Sequence, residues 1–155
     1  MRTRMNATAL VEKFKGLLQR EARRRNLTCG QWFGGTGRFS DNIVNLEGNW
    51  EGDWDLLLYV RASSGKGLFW GVTKSRIDEF RQSGSDWRIV LLAASPEAGY
   101  LLFPHDYDQC VSTGLWRLCE DGDYRTSPGP RLAHSLAFGS VAELLDILAE
   151  HRRRG

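Results

Sequence analysis

The chain predicts an α+β (mixed α/β) domain in which a single central sheet is flanked by helices, and three observations carry that expectation. The runs Leu56–Val60, Leu68–Val72 and Trp87–Leu92 are almost unbroken in apolar residues, as strands covered on both faces are. The two ends of the chain place apolar residues at helical spacing instead. A composition 41% hydrophobic and 26% charged, over 155 residues, suits one ordinary domain that buries its own core without disulfides or metal. The chain is therefore read as a single domain over 1–155, with no internal repeat or linker.

The elements follow in order. Leu10, Phe14, Leu17 and Leu18 share one face and Asn6 or Thr8 can cap it, so a first helix is expected from about Thr8 to Arg25. The segment Gly30-Gln-Trp-Phe-Gly-Gly-Thr-Gly37 cannot be helix, because glycine is costly there. Phe39–Leu46 alternates weakly and reads as a first strand. Leu56–Val60 and Leu68–Val72, joined by the turn Ser63-Ser-Gly-Lys-Gly67, read as a hairpin. A short helix follows with Ile77 and Phe80 inward; Thr73 or Ser75 opens it, with Asp78 completing a capping box on Ser75, and Ser83-Gly-Ser85 stops it. Trp87–Ala94 reads as another central strand, and Tyr100–Phe103 pairs back on it until Pro104 ends it. Trp116–Leu118 reads as an edge strand, Asp121-Gly-Asp123 as a turn and Ser127-Pro-Gly-Pro130 as loop. A last helix opens on the capping box of Ser140 and Glu143, with Val141, Leu144, Leu145 and Leu148 inward. The order is α-β-β-β-α-β, then extra strands and a C-terminal helix.

Composition excludes some classes of function. No apolar run approaches the roughly 20 residues of a membrane helix, and Met-Arg-Thr-Arg-Met lacks the apolar stretch of a secretory signal. A cytoplasmic protein with no membrane partner is expected. Cys29, Cys110 and Cys119 are odd in number and lack the close pairing of a zinc site, so they read as reduced thiols. His105 beside Asp106 and His134 beside Ser135 are neighbours in sequence, which does not make a catalytic triad. The net charge of +2 does not announce a nucleic-acid binder. Arg20, Arg23, Arg24 and Arg25 nevertheless cluster where the first helix ends, and Arg152, Arg153 and Arg154 close the chain. Such clusters serve either the helix dipole or phosphate contacts.

Asp53 and Asp55 enter the second strand and Lys74 leaves the third, an arrangement of carboxylates and lysine suited to metal-dependent phosphodiester cleavage. In element order, the chain resembles the core of the PD-(D/E)XK nuclease superfamily over roughly its first two-thirds. Trp54-Asp55-Leu56-Leu57 is similar to the family's Pro-Asp step at the start of its second core strand, and Phe69-Trp-Gly-Val-Thr-Lys74 lies where the family carries acid-x-Lys on the third. Glu12 sits where some members place a further carboxylate, and the glycine-rich segment is similar to a DNA-contacting loop of the resolvase branch. The acid position here is Gly71 or Val72. The resemblance then implies that the acid has moved onto the next helix, to Asp78 or Glu79. Asp53, Asp55 and Glu79 would hold Mg²⁺, and Lys74 would position the attacking water. Apart from the resemblance, Arg20, Arg23, Arg24, Arg25 and Arg38 beside Trp32 and Trp50, tryptophans in polar, glycine-rich surroundings, are expected to contact nucleic acid, with the tryptophans stacking on bases.

Two readings of function result. One is a nucleic-acid-associated domain with a nuclease-like core and an incomplete catalytic motif. The other is a non-enzymatic interaction, immunity or adaptor protein whose tryptophan-rich end meets another protein.

Overall fold

The computed structural model describes residues 5–33 and 39–154. Helix α1 spans Ala7–Arg23 and opens on Asn6, whose Oδ1 accepts the Ala9 N–H at 2.8 Å. Strands β1 (Leu27–Phe33), β2 (Phe39–Asn49) and β3 (Asp53–Ser63) follow as an antiparallel meander. The chain then forms β4 (Trp70–Thr73), α2 (Lys74–Ser83) and β5 (Asp86–Ala93). Next come β6 (Gly99–Leu102), α3 (Pro104–Ser112), β7 (Arg117–Leu118) and β8 (Asp123–Thr126). After a single 3-10 turn at Pro130–Leu132, β9 (Leu136–Phe138) and α4 (Val141–Arg154) complete the chain.

The central sheet has six strands in the order β1-β2-β3-β5-β6-β9, with β3 and β5 parallel and the other pairs antiparallel. A smaller sheet, β4-β8-β7, lies apart from it. The fold class read from the sequence, a central sheet flanked by helices, is the one observed. Alternate residues of β3 enter two different cores, as the pleat requires. Leu56, Leu58 and Val60 join Phe14, Leu18 and Leu144 of α1 and α4. Leu57 and Tyr59 join Trp70, Phe80, Trp87 and Tyr107 on the opposite face. Every residue of Leu56–Val60 is buried, so this strand has no wet side.

The expected hairpin of Leu56–Val60 with Leu68–Val72 does not form. A strand has two edges, and both edges of β3 are taken, one by β2 and the other by β5. Strand β4 pairs with β8 instead, in the register Trp70↔Thr126 and Val72↔Tyr124. It is tied to the central sheet by side chains: the Trp70 indole donates to the Leu92 carbonyl at 3.0 Å, Arg61 Nε to the Gly71 carbonyl at 2.8 Å, and the Thr73 N–H to the Tyr59 hydroxyl at 3.3 Å. The three apolar runs therefore do not lie side by side, and only β3 and β5 are neighbours.

Several boundaries also differ. Gly30–Phe33 extends β1 rather than forming loop; its polar, glycine-bearing sequence suits an outer strand paired on one edge only. Pro104 ends β6 and also occupies the first turn of α3, where a missing N–H costs nothing, and Asp106 accepts the Phe103 N–H at 2.8 Å. The expected Ser75–Asp78 capping box is absent, because the N-cap of α2 is Thr73, two residues before Ser75, and Asp78 pairs with Lys74. Gly84 ends α2 at φ 72°, a left-handed conformation that glycine adopts without strain. At α4 Ser140 Oγ accepts the Glu143 N–H at 3.1 Å, while Glu143 reaches back to the Gly139 N–H at 3.1 Å.

Candidate functional site

The residues expected to hold metal each have a place, and they do not converge. Asp55 is exposed at the start of β3, opposite Glu47 of β2. Asp53, two residues earlier, accepts from the Asn49 side chain at 3.1 Å. Glu79 pairs with Arg76 at 3.3 Å and Asp78 with Lys74 at 2.8 Å, both within α2. The hydrogen bond from Lys74 to Asp78 holds the lysine above its ordinary pKa, so it stays charged and already has a carboxylate partner. Glu12 pairs with Lys15 at 3.3 Å on α1. Among the described residues no three of His, Cys, Asp and Glu form a group that could hold a metal ion. Asp53, Asp55 and Glu79 therefore do not come together as a three-carboxylate group.

A carboxylate does stand at Gly71, though not from the strand that was expected to carry it. A Cβ built on Gly71 would lie 2.6 Å from Asp123 Oδ2. Asp123 thus fills from β8 the space that a side chain at 71 would occupy. Sequence order could not reveal this, because the two residues belong to segments that meet only through the β4–β8 pairing.

The aromatic and basic residues are also engaged within the chain. Trp32 packs edge-on to Phe80, with ring centroids 5.1 Å apart. Trp50 stacks on Trp54 at 5.4 Å and carries the Arg25 guanidinium 5.3 Å over its ring. Arg25 also pairs with Glu21 at 2.8 Å and reaches Asp146 of α4 at 3.5 Å. The Glu21 carboxyl is held below the usual carboxylate range, first by its hydrogen bond from Arg25 and then by the charges of Arg24 and Arg25, against some desolvation. Trp54, Trp70, Trp87 and Trp116 are buried, and none of the six tryptophans is exposed. Arg20, Arg23 and Arg24 remain on the surface, with Arg24 paired to Glu21 at 3.1 Å. Arg38 lies outside the described residues.

The remaining reactive side chains are quiet. The three cysteines are free, and burial pushes the Cys29 and Cys110 thiols up to about 11. His105 and His134 are exposed, and Asp106 is spent on capping α3. No helix among the described residues is long and apolar enough to cross a membrane. No family model matches the chain, nor does any curated protein or solved structure.

Proposed function

We propose that this chain is a catalytically silent, nuclease-like domain that contacts the nucleic-acid backbone without a divalent metal. One observation carries the reading. Leaving out β4, the order α1-β1-β2-β3-α2-β5 is a helix, a three-stranded meander, a helix and a fourth strand placed beside the third. This is the element order on which the nuclease resemblance rests, with the strands assigned one position earlier than the sequence suggests. The third strand of the meander is then β3, and its stretch Leu56–Ser63 contains neither an acid nor a lysine. On either assignment the acid-x-Lys pair is incomplete, and the carboxylates form no metal-holding group among the described residues. Fold alone is a weak warrant for activity, so the silent scaffold is the reading preferred over a working enzyme. Exposed Arg20, Arg23 and Arg24 offer the backbone contacts.

Calorimetric titration with Mg²⁺ and Mn²⁺, run beside cleavage assays on single- and double-stranded DNA and RNA, tests the silence. The expected result is no saturable metal binding and no cleavage. Metal-dependent cleavage abolished by Asp55→Asn would overturn it.

A further inference from the structure

Between α1 and the outer strand β1 lies a cavity of about 330 Å³. Its wall on the helix side is the flank of Glu12, Gly16 and Gln19, which recur at the spacing of helical neighbours. Its wall on the strand side is Cys29, Gly30 and Gln31, and β2 supplies Ile43 and Val44. Ligand pockets fall in this size range and combine an apolar surface with a few polar groups.

Gly16 shows why the space is open. Nothing lies within 4 Å of where a Cβ on Gly16 would stand, and its φ is not positive. Backbone conformation and close packing therefore do not demand glycine there, and in mid-helix it is the poorest choice after proline. What its missing side chain leaves is the cavity. On the facing strand Cys29 and Gln31 point toward α1, while Gly30 between them turns to the other face of the sheet and offers only backbone.

The lining also selects by charge. Glu12 and Lys15 pair with each other at 3.3 Å, and burial keeps the Cys29 thiol protonated. The wall thus favours a neutral guest over an anion. Gln19 and Gln31 each offer an amide donor and an acceptor, the pairing that matches the edge of a nitrogen heterocycle. We propose that this cavity binds a neutral, flat heterocycle of nucleobase or nucleoside size. Gln19 and Gln31 read its edge, and the bare helix surface at Gly16 admits its ring.

The inference goes beyond the proposed backbone contact and does not depend on it, because a free nucleoside carries no phosphate. Adenosine and cytidine are titrated to millimolar concentration into the full-length ¹⁵N-labelled protein, at low and high salt. The backbone amides of Gly16 and Gly30 and the side-chain amides of Gln19 and Gln31 should shift together for at least one nucleoside, to the same extent at both salt concentrations. Gly16→Leu should abolish the shifts while leaving the melting temperature equal or higher, since leucine is the better helix former. Gln31→Ala should weaken binding by about tenfold while preserving the fold, a loss expected for one hydrogen-bonded edge. Silence of these four signals toward both nucleosides would overturn the proposal. So would shifts that fade at high salt, shifts unchanged in Gly16→Leu, or a lowered melting temperature in that variant.

Discussion

The two faces of the central sheet are built on different principles. Against one face lie α1 and α4, and the core between is largely aliphatic, with Leu18, Leu46, Leu58, Val90, Leu144 and Leu148 at its centre. Against the other lie α2, α3 and the small sheet, and the core is aromatic: Tyr59, Trp70, Phe80, Trp87, Tyr107, Trp116 and Tyr124. The aliphatic face is held mainly by shape and burial, and its one buried indole, Trp54, donates only to the nearby Trp50 carbonyl. On the aromatic face, polar tips of large rings also bond to distant backbone, as with Trp70 to the Leu92 carbonyl and Trp116 to the Arg131 carbonyl. Buried tryptophan needs such a partner for its N–H. Short segments can be fastened in this way without long amphipathic elements.

The largest expected effect comes from β3, which feeds both faces. Leu57→Asp and Leu58→Asp place a charge in the aromatic and the aliphatic core respectively, and each should prevent folding, because neither residue is more than 2% exposed. Circular dichroism and a melting curve read the outcome. A soluble, cooperatively melting Leu57→Asp protein would mean that the aromatic face is an accessory layer.

Next in size is Trp70→Ala, expected to cost about 3–5 kcal/mol for a buried aromatic. Trp70→Phe keeps most of the packing but leaves the Leu92 carbonyl without its donor, and should cost about 1–3 kcal/mol. Denaturant unfolding measures both. A Trp70→Phe protein as stable as the parent would show that the indole hydrogen bond contributes nothing and that the aromatic face is held by shape alone.

Gly71→Ala probes the junction of β4 with β8. Its Cβ would meet the Asp123 carboxylate, so a loss of about 1–3 kcal/mol is expected for overpacking. In the Asp123→Ala background the same change should cost far less, and a double-mutant cycle reads that coupling. Additive losses would show that the cost of the alanine does not arise from the Asp123 carboxylate.

The smallest effect compares one thiol from each face, Cys29 beside the aliphatic core and Cys110 within the aromatic one. Both folded-state pKa values are raised by desolvation from 9.0 to about 11. The unfolded chain therefore ionises first, so stability is full below pH 9 and falls as pH rises from about 9 to about 11. At about 1.4 kcal/mol per pKa unit, discounted for the solvent that reaches these groups, each thiol should account for about 1–2 kcal/mol of that loss. Cys29→Ala and Cys110→Ala should each flatten the alkaline limb of a stability–pH profile, and an unchanged limb would contradict the assignment.

The same contrast explains what the sequence made legible. The aliphatic face was readable because its helices repeat apolar residues over several turns, so α1 and α4 were expected nearly where they lie. β3 and β5 were readable because burial on both faces leaves a continuous apolar run. β4 has a similar run, but it contains an exposed Phe69 (61%) and a half-buried Gly71, and its partner lies some fifty residues further on. No local pattern encodes that pairing. β1 was missed because an outer strand with Thr28, Gly30 and Gln31 exposed has little apolar alternation. The candidate site rests on the same hairpin: Asp55 and Lys74 are joined in the sequence only by a strand pairing that β5 makes impossible.

The proposed function is metal-independent contact with the nucleic-acid backbone through the surface arginines. Fluorescence anisotropy of a labelled oligonucleotide, in EDTA and over a salt series, tests it most directly. Binding should persist in EDTA, with the logarithm of affinity falling linearly with the logarithm of salt as counterions are released. Replacing Arg20, Arg23 and Arg24 together by Gln should weaken it uniformly across sequences and reduce the slope by about 2–3. No binding at low salt in EDTA, or a slope unchanged in the triple variant, would contradict the account.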